Sequence, residues 1–272
     1  MQKPSVTVVV IAKNEERMLP GCLNTLEWCQ ERIVLESGST DSTVAVAKKL
    51  GARVVTMTDP SFAKRRTEVL KNVSTKWVLY VDPDERVTPA LARSITEMIS
   101  NTTADVGLIA RKNFHYGHAM NHGGWLEPAL PRLFVKQVLS RWEGDIHESP
   151  VYTGTSRRLE GELWHFTHRS VADGLYKTAA WTPMEARLLY ESGVSAVTPW
   201  TVARKGLGEI FRRGFTQQGY KDGATGWVEV FTQSINRMLV YLQVWELQQN
   251  PPIQDRYISL EKDLADPWKN EY

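Results

Sequence analysis

The sequence predicts an α/β protein, a doubly wound, mostly parallel sheet flanked by helices, followed by a helical C-terminal extension. Three observations carry this: β-branched runs alternate with helical patterns up to about residue 105, shorter strand-like stretches follow, and from about Val171 the pattern is helical.

Residues 6–12, VTVVVIA, form a continuous β-branched run, as in a strand covered on both faces. A helix follows, with Pro20 in its first turn and Leu19, Cys22, Leu23 and Leu26 as its buried stripe. RIVLES is the second strand. GSTDSTVAVAKKLG then gives a glycine turn, a capping Asp41 or Ser42, an Ala/Val-faced helix and a terminating Gly51. ARVVTM is the third strand, a helix around SFAKRRTEVLKNV leads to the fourth, KWVLYVD, and PALARSITEMIS is a further helix. This alternation implies parallel βαβ units in an open sheet. VGLIARKNF, PRLFVK and SPVYTG read as short strands extending it, between loops rich in Gly, Pro, Trp and His. The tail ends in GWVEVFTQSINRMLVYLQVWELQQ, with apolar residues at Trp227, Phe231, Ile235, Met238, Leu242 and Trp245. Two regions are expected: 1–170, which binds the ligand and carries the chemistry, and 171–272, which makes acceptor, oligomer or membrane-surface contacts.

A chain of 272 residues that is 42% hydrophobic has the material for a real core. Its 33 basic and 31 acidic residues are mixed along the chain, so no charge imbalance points to nucleic acid. The two cysteines, Cys22 and Cys29, fall in one helical pattern. A seven-residue step there rises roughly 10 Å, too far for a disulfide, so both read as buried thiols. No run approaches the roughly 18 apolar residues of a membrane span, and no leader pattern is seen. A cytoplasmic location is expected, with any membrane contact peripheral and at the inner face of the cytoplasmic membrane.

WVLYVDPDERVTP poses the chemical question, because an apolar strand ends in Asp82, Asp84 and Glu85. In an open parallel sheet, ligands lie beyond the carboxyl ends of the strands. Asn14 and Glu15 follow the first strand, and Glu36 and Asp41 flank the turn after the second. Two carboxylates about 4 Å apart repel by roughly 4 kcal/mol at an effective dielectric near 20, so the cluster favours a cation. Oxygen ligands on a loop suit Mg2+ or Mn2+, completed by substrate phosphates. The plainer alternative is a capped turn before a helix. Neither the GxGxxG of a dinucleotide site nor the GxxxxGKS/T of a phosphate loop is present. Lys64, Arg65 and Arg66 of AKRR either meet a diphosphate or form a solvated helix face. His115, His118 and His122 lack a recognised ligand signature and suit an acceptor loop. Trp125, Trp142 and Trp164 either stack on an acceptor sugar or pack in the core. The basic, amphipathic RKGLGEIFRRGF and the apolar tail suit packing on the domain, a homo-oligomer or a membrane surface.

VVVIAKNEERMLPGCLNTL, IVLESGSTDSTVAVAKKLGARVV and WVLYVDPDERVTPAL, in this order and spacing, resemble family 2 glycosyltransferases of the GT-A fold. PRLFVK, GDIHESPVYTG, LWHFTHRS and RRGFTQQGYKDGATGW bring the likeness closest to lipopolysaccharide core β-glucosyltransferases. The resemblance implies inverting transfer of a sugar from a nucleotide-diphosphate donor, often a uridine one, to a hydroxyl of a glycan or lipid-linked acceptor. It places Asp82 at the donor ribose, Asp84 on a Mn2+ or Mg2+ that bridges the diphosphate, and Asn14, Glu15, Glu36 and Asp41 around the nucleoside. Glu36 stands where the family usually has Asp. Inversion needs a base on the acceptor side. Glu148 of GDIHES is preferred because close relatives share the His-Glu pair; Asp145 is the second choice, and His147 is a further candidate for the metal or a phosphate. The rival readings are a sugar-phosphate nucleotidyltransferase, whose Gly-rich basic loop AKNEE does not match, and a non-catalytic scaffold that binds nucleotide sugars.

Overall fold

A computed structural model describes residues 3–101, 104–126, 128–144 and 148–271. The chain divides into two compact units, one of Met1–Ala119 with Trp125–Thr167, the other of Met120–Gly124 with His168–Tyr272.

In the first unit β1 (Val6–Ala12), β2 (Glu31–Glu36), β3 (Arg53–Thr56) and β4 (Trp77–Val81) alternate with α1 (Leu19–Asn24), α2 (Thr43–Lys49) and α3 (Phe62–Glu68). All four strands are parallel. β1 is buried along its whole length because it is covered on both faces. Val8 and Val10 join a core with Leu19, Leu23, Leu91 and Ile95, while Val9 and Ile11 face Val78, Tyr80 and Phe134. The register sets Val10 against Val34 on one side and Val81 on the other, so the carboxyl ends of β1, β2 and β4 open onto one edge.

The remaining elements of this unit are β5 (Glu85–Val87), α4 (Pro89–Asn101), β6 (Val106–His115), β7 (His118–Ala119), β8 (Leu130–Val135), β9 (Leu139–Glu143), β10 (Ser149–Tyr152) and β11 (Ser156–Phe166). The nine-stranded sheet runs β3-β2-β1-β4-β8-β6-β11-β5, with β7 on β6, and β9 and β10 form a separate ribbon. The parallel order ends at β4: β8 is antiparallel to both β4 and β6, and β5 to β11, whereas β6 and β11 are parallel. The sheet is therefore mixed beyond β4. Between β6 and β8 the described residues form β7 and turns, and β8 comes back antiparallel beside β6.

β11 is broken by a shift in register between Arg158 and Glu162. Gly161 sits in that break with φ +81, and a Cβ there would overlap the backbone nitrogen of Leu91 at the start of α4. Beyond it Leu163, Trp164 and His165 pair with Val87, Arg86 and Glu85, while the same residues remain paired with β6. The break thus delivers His165 to the carboxyl edge. The cysteines also differ in detail from expectation. α1 stops at Asn24, so Cys29 lies beyond the helix rather than on it, yet both thiols are free and buried. Burial pushes the Cys29 thiol up to about 11, which makes it a poor nucleophile.

The second unit holds α5 (Val171–Glu191), α6 (Pro199–Ile210), a π-helical turn (Phe211–Thr216), α7 (Gly223–Leu247) and α8 (Ile253–Glu271). Its core is Ala186, Val197, Val202, Val240, Tyr241 and Val244. α5 and α6 both pack on α7, and small residues permit the approach: Ser234 Oγ donates to the carbonyl of Gly206 at 2.9 Å. Ser234 faces Gly206 of α6, while Gly226 and Val230 lie against Gly219 in the turn before α7. Of the apolar stripe read from the sequence, Phe231, Ile235, Leu242 and Trp245 are exposed, whereas Met238 packs against the helical core. Among the described residues no helix is long and apolar enough to cross a membrane.

Gly161→Ala should cost about 2 kcal/mol or more, because it combines a left-handed backbone with a clash against main chain. Urea unfolding of the variant against the parent protein measures this.

Candidate active site

The loops after β1 and β2 are stitched together by side chains accepting from main-chain amides. Asn14, itself left-handed at φ 58, accepts from Thr40 N with its Oδ1 at 2.8 Å, and its own N–H donates to Ser39 Oγ at 3.0 Å. Glu15 N donates to Thr43 Oγ1 at 2.8 Å. Glu36, buried at the end of β2, accepts from Ser39 N, closing the turn. Asp41 accepts from Thr43 N at 2.9 Å and from Glu16 N at 3.1 Å. Slight burial opposes its charge, but the Thr43 and Glu16 hydrogen bonds prevail and hold its carboxyl below the usual range. The structure therefore brings Asn14, Glu15, Glu36 and Asp41 to one rim, with much of their polar capacity shaping the loops.

At the end of β4 the acids meet guanidinium groups from two further elements. Asp82 receives Arg66 of α3 at 3.0 Å and Arg132 of β8 at 3.2 Å. Arg132 also lies 3.4 Å from Glu85, and Arg111 of β6 is 3.8 Å from the same carboxylate. Glu85 is fully buried and accepts from Asp82 N at 2.9 Å. Burial works against the charge of Asp82, but Arg132 and then Arg66 outweigh it and hold that carboxyl well below the ordinary carboxylate range. At Glu85 burial dominates over Arg132, and the carboxyl is pushed up. One acid of the cluster is thus fixed as an anion while its neighbour resists ionisation.

Asp84 points elsewhere. Its Oδ2 lies 3.3 Å from Nε2 of His165, and its carbonyl accepts from Phe166 N at 2.9 Å. The tautomer of His165 follows from its neighbour. Asn113 is buried and donates through Nδ2 to the carbonyl of Trp125 at 2.8 Å, which leaves its Oδ1 as the acceptor facing His165 Nδ1 at 2.7 Å. Nδ1 therefore carries a ring proton, and Nε2 faces a carboxylate oxygen. A second ring proton or a metal ion satisfies that pairing. An imidazole nitrogen, oriented by a partner on its other nitrogen, beside a carboxylate is a donor set that suits Mn2+ or Mg2+ with oxygen ligands from phosphate.

The family model for glycosyl transferase family 2 matches residues 7–164, a span that holds both loops and every carboxylate of the cluster. The chain belongs to glycosyl transferase family 2. Within it, the lipopolysaccharide core biosynthesis glycosyltransferase LpsC of Rhizobium meliloti (strain 1021) is 25% identical over 93% of this chain and 97% of its own. An uncharacterized glycosyltransferase of Rickettsia conorii, RC0292, is 31% identical over 86% of this chain and 87% of its own. Among solved structures, glucosyl-3-phosphoglycerate synthase from Mycobacterium tuberculosis, in complex with Mn2+, uridine diphosphate and glucosyl-3-phosphoglycerate, overlays with a TM-score of 0.38 at 20% identity. That overlay covers 50% of this chain and 58% of the synthase, a likeness too distant to bear on the site.

In this family 2 glycosyltransferase the three cations of AKRR take three different positions. Lys64 is exposed and pairs with Asp59 at 2.5 Å. Arg65 is buried, with its guanidinium 4.1 Å above the Phe62 ring. Helical phase instead turns Arg66 toward the acids, wedged 5.0 Å from the Trp142 ring. Asp145 and His147 lie outside the described residues. Glu148 is half-buried at the entry to β10 and within electrostatic reach of Arg65. The plainer sequence reading of Glu148 is a structural ion pair with Arg132 or Arg141, but Arg132 serves Asp82 and Glu85, and Arg141 pairs with Glu143 at 2.5 Å. The histidines of HYGHAMNH part company: His115 is buried 4.3 Å from the Trp125 ring, His118 is exposed, and His122 meets Asp222 at 3.0 Å in the second unit. Trp142 belongs to the core beside Tyr80, whereas Trp164 stays partly exposed. From sequence His165, like His168, reads as either structural or near the diphosphate, and Arg132 only as a candidate ion-pair partner of Glu148. Only the paired β5 and β11 strands, and the return of β8 beside β4, expose them.

Arg132→Met in metal-free buffer should destabilise the protein by about 3 kcal/mol at neutral pH, the cost of stranding buried acids without their partner. The depressed Asp82 carboxyl contributes stability above its unfolded value near 4, and that contribution fades as pH falls toward its folded value. The deficit of the variant should therefore be complete at pH 7 and shrink below about pH 4. Thermal unfolding of both proteins across that range checks the sign.

Proposed function

We propose that this chain is a Mn2+- or Mg2+-dependent, inverting hexosyltransferase that moves a sugar from a nucleotide-diphosphate donor, a uridine one, to a hydroxyl of a glycan or lipid-linked acceptor. The observation that carries the reading is the facing pair Asp84 Oδ2 and His165 Nε2, beside an Asp82 held ionised by two arginines. LpsC, similar over nearly the whole chain, supports an acceptor in lipopolysaccharide core or related cell-envelope synthesis.

In this reading Asp84 and His165 would hold the ion, and when bound it would supply positive charge to the leaving diphosphate. Asp82, oriented by Arg66 and Arg132, accepts from the ribose hydroxyls, and Asn14, Glu15, Glu36 and Asp41 line the nucleoside end. Glu36 enters this pocket already bound to Ser39 N, so its extra methylene serves the turn as well as the base. Lys64 and Arg65 lie on the helix beside the diphosphate end, with Arg65 close enough to act on Glu148. On the acceptor side Glu148 takes the hydroxyl proton as that oxygen attacks the anomeric carbon from the face opposite the departing diphosphate. The developing alkoxide adds to the sugar, the bond to the diphosphate breaks, and the configuration inverts. Asp145 is the alternative base, and His147 the alternative contact to metal or phosphate.

Asp84→Ala should abolish Mn2+-dependent transfer from UDP-sugars with its unfolding midpoint unchanged; undiminished turnover would remove Asp84 from this role. Glu148→Gln should keep the calorimetric affinity for UDP with Mn2+ while transfer falls about a hundredfold to ten-thousandfold. If Asp145→Asn alone behaves so, the base is Asp145.

A further inference from the structure

The helical unit carries an outward surface whose composition is not that of a solvated face. Along α6 and the π-helical turn, Trp200, Arg204, Leu207, Phe211 and Phe215 recur at steps of three and four, and all are exposed, Trp200 by 69% and Phe211 by 65%. Val202, Gly206 and Glu209 face the other way and are buried. The rings continue as a ladder onto α7. Phe211 and Phe215 are 5.9 Å apart, Phe215 meets Trp227 edge-on at 5.6 Å, and Trp227 stacks on the exposed Phe231 at 5.8 Å. Ile235 extends the patch by one more turn.

Charge decides what covers it. The segment from Pro199 to Thr216 has four basic residues, Arg204, Lys205, Arg212 and Arg213, and a single acid, Glu209. That acid is turned inward, where it pairs with Arg212 and Arg213. The exposed side is therefore aromatic and cationic without a carboxylate of its own. A second copy of the chain meeting this patch about a two-fold axis would set the same cations against each other. Aromatic rings at the level of the headgroups, with arginine stems extending along apolar surface to reach phosphates, satisfy both components at once.

We propose that this face of α6, the π-helical turn and the first half of α7 docks on an anionic lipid bilayer. The chain then lies on the membrane surface, with the rings in the interface and Arg204 at the phosphates, and nothing spans. The proposal does not depend on sugar transfer, so binding to vesicles and turnover can fail independently.

Vesicle flotation tests it. The full chain should float with phosphatidylcholine vesicles containing phosphatidylglycerol, float less as salt is raised, and stay in solution with phosphatidylcholine alone. Arg204→Glu should weaken binding about fivefold or more, and Trp200→Ser with Phe211→Ser about tenfold or more, with unfolding midpoints unchanged because these side chains are exposed. Absence of flotation by the parent protein, or flotation untouched by both variants, overturns the proposal. So does a concentration-dependent dimer in sedimentation that Phe211→Ser abolishes, since a second copy would then be the occupant.

Discussion

Three carboxylates crowd the end of β4, and the arrangement depends on guanidinium groups reaching them from separate parts of the sheet. Glu85 is sealed beneath Asp82 and accepts its main-chain N–H, so the turn cannot form without burying an acid. Burying charge is costly, and a buried ion pair recovers that cost only when its geometry is good. Arg66 from α3 and Arg132 from β8 provide it, and they do so only if β8 returns antiparallel beside β4. The order of the strands and the electrostatics of the rim are thus one requirement. A misplaced β8 would leave both Asp82 and Glu85 short of their shared partner, which penalises alternative pairings more than it rewards the native one.

Much of this was legible in the sequence. The β-branched runs at Val6 and Trp77 marked strands buried on both faces, and the stops at Asn14, Glu36 and Asp82 marked their carboxyl ends. What could not be read was everything set by pairing between distant segments. His165 sits in LWHFTHRS with no spacing to distinguish it from His168. Its place opposite Glu85 depends on a break in register at Gly161 and on an asparagine 52 positions away in the chain. The choice among Lys64, Arg65 and Arg66 was a question of helical phase, which a run of three adjacent cations does not encode. Cys29 was placed on a helix that in fact ends five residues earlier, at Asn24.

The tail illustrates a different limit. Its apolar periodicity was visible, but periodicity identifies a stripe and does not say which of two stripes is buried. Gly226, Val230 and Ser234 compete with Phe231 and Ile235 for the buried side of α7, and the smaller set wins because Ser234 lets Gly206 of α6 come close and Gly226 does the same for Gly219. The bulky residues are left at the surface, where polar ones would ordinarily stand.

The main-chain bond from Phe166 to the carbonyl of Asp84 ties β11 to the acid turn without using any side chain. The ribbon of β9 and β10, which leads into Glu148, lies outside that tie in a sheet of its own. The ribbon reaches the acid turn through side chains instead, because Trp142 of β9 packs against Arg66, the partner of Asp82. A change at that tryptophan is therefore felt first by the guanidinium beside Asp82, while the main-chain tie at Asp84 stays as it was.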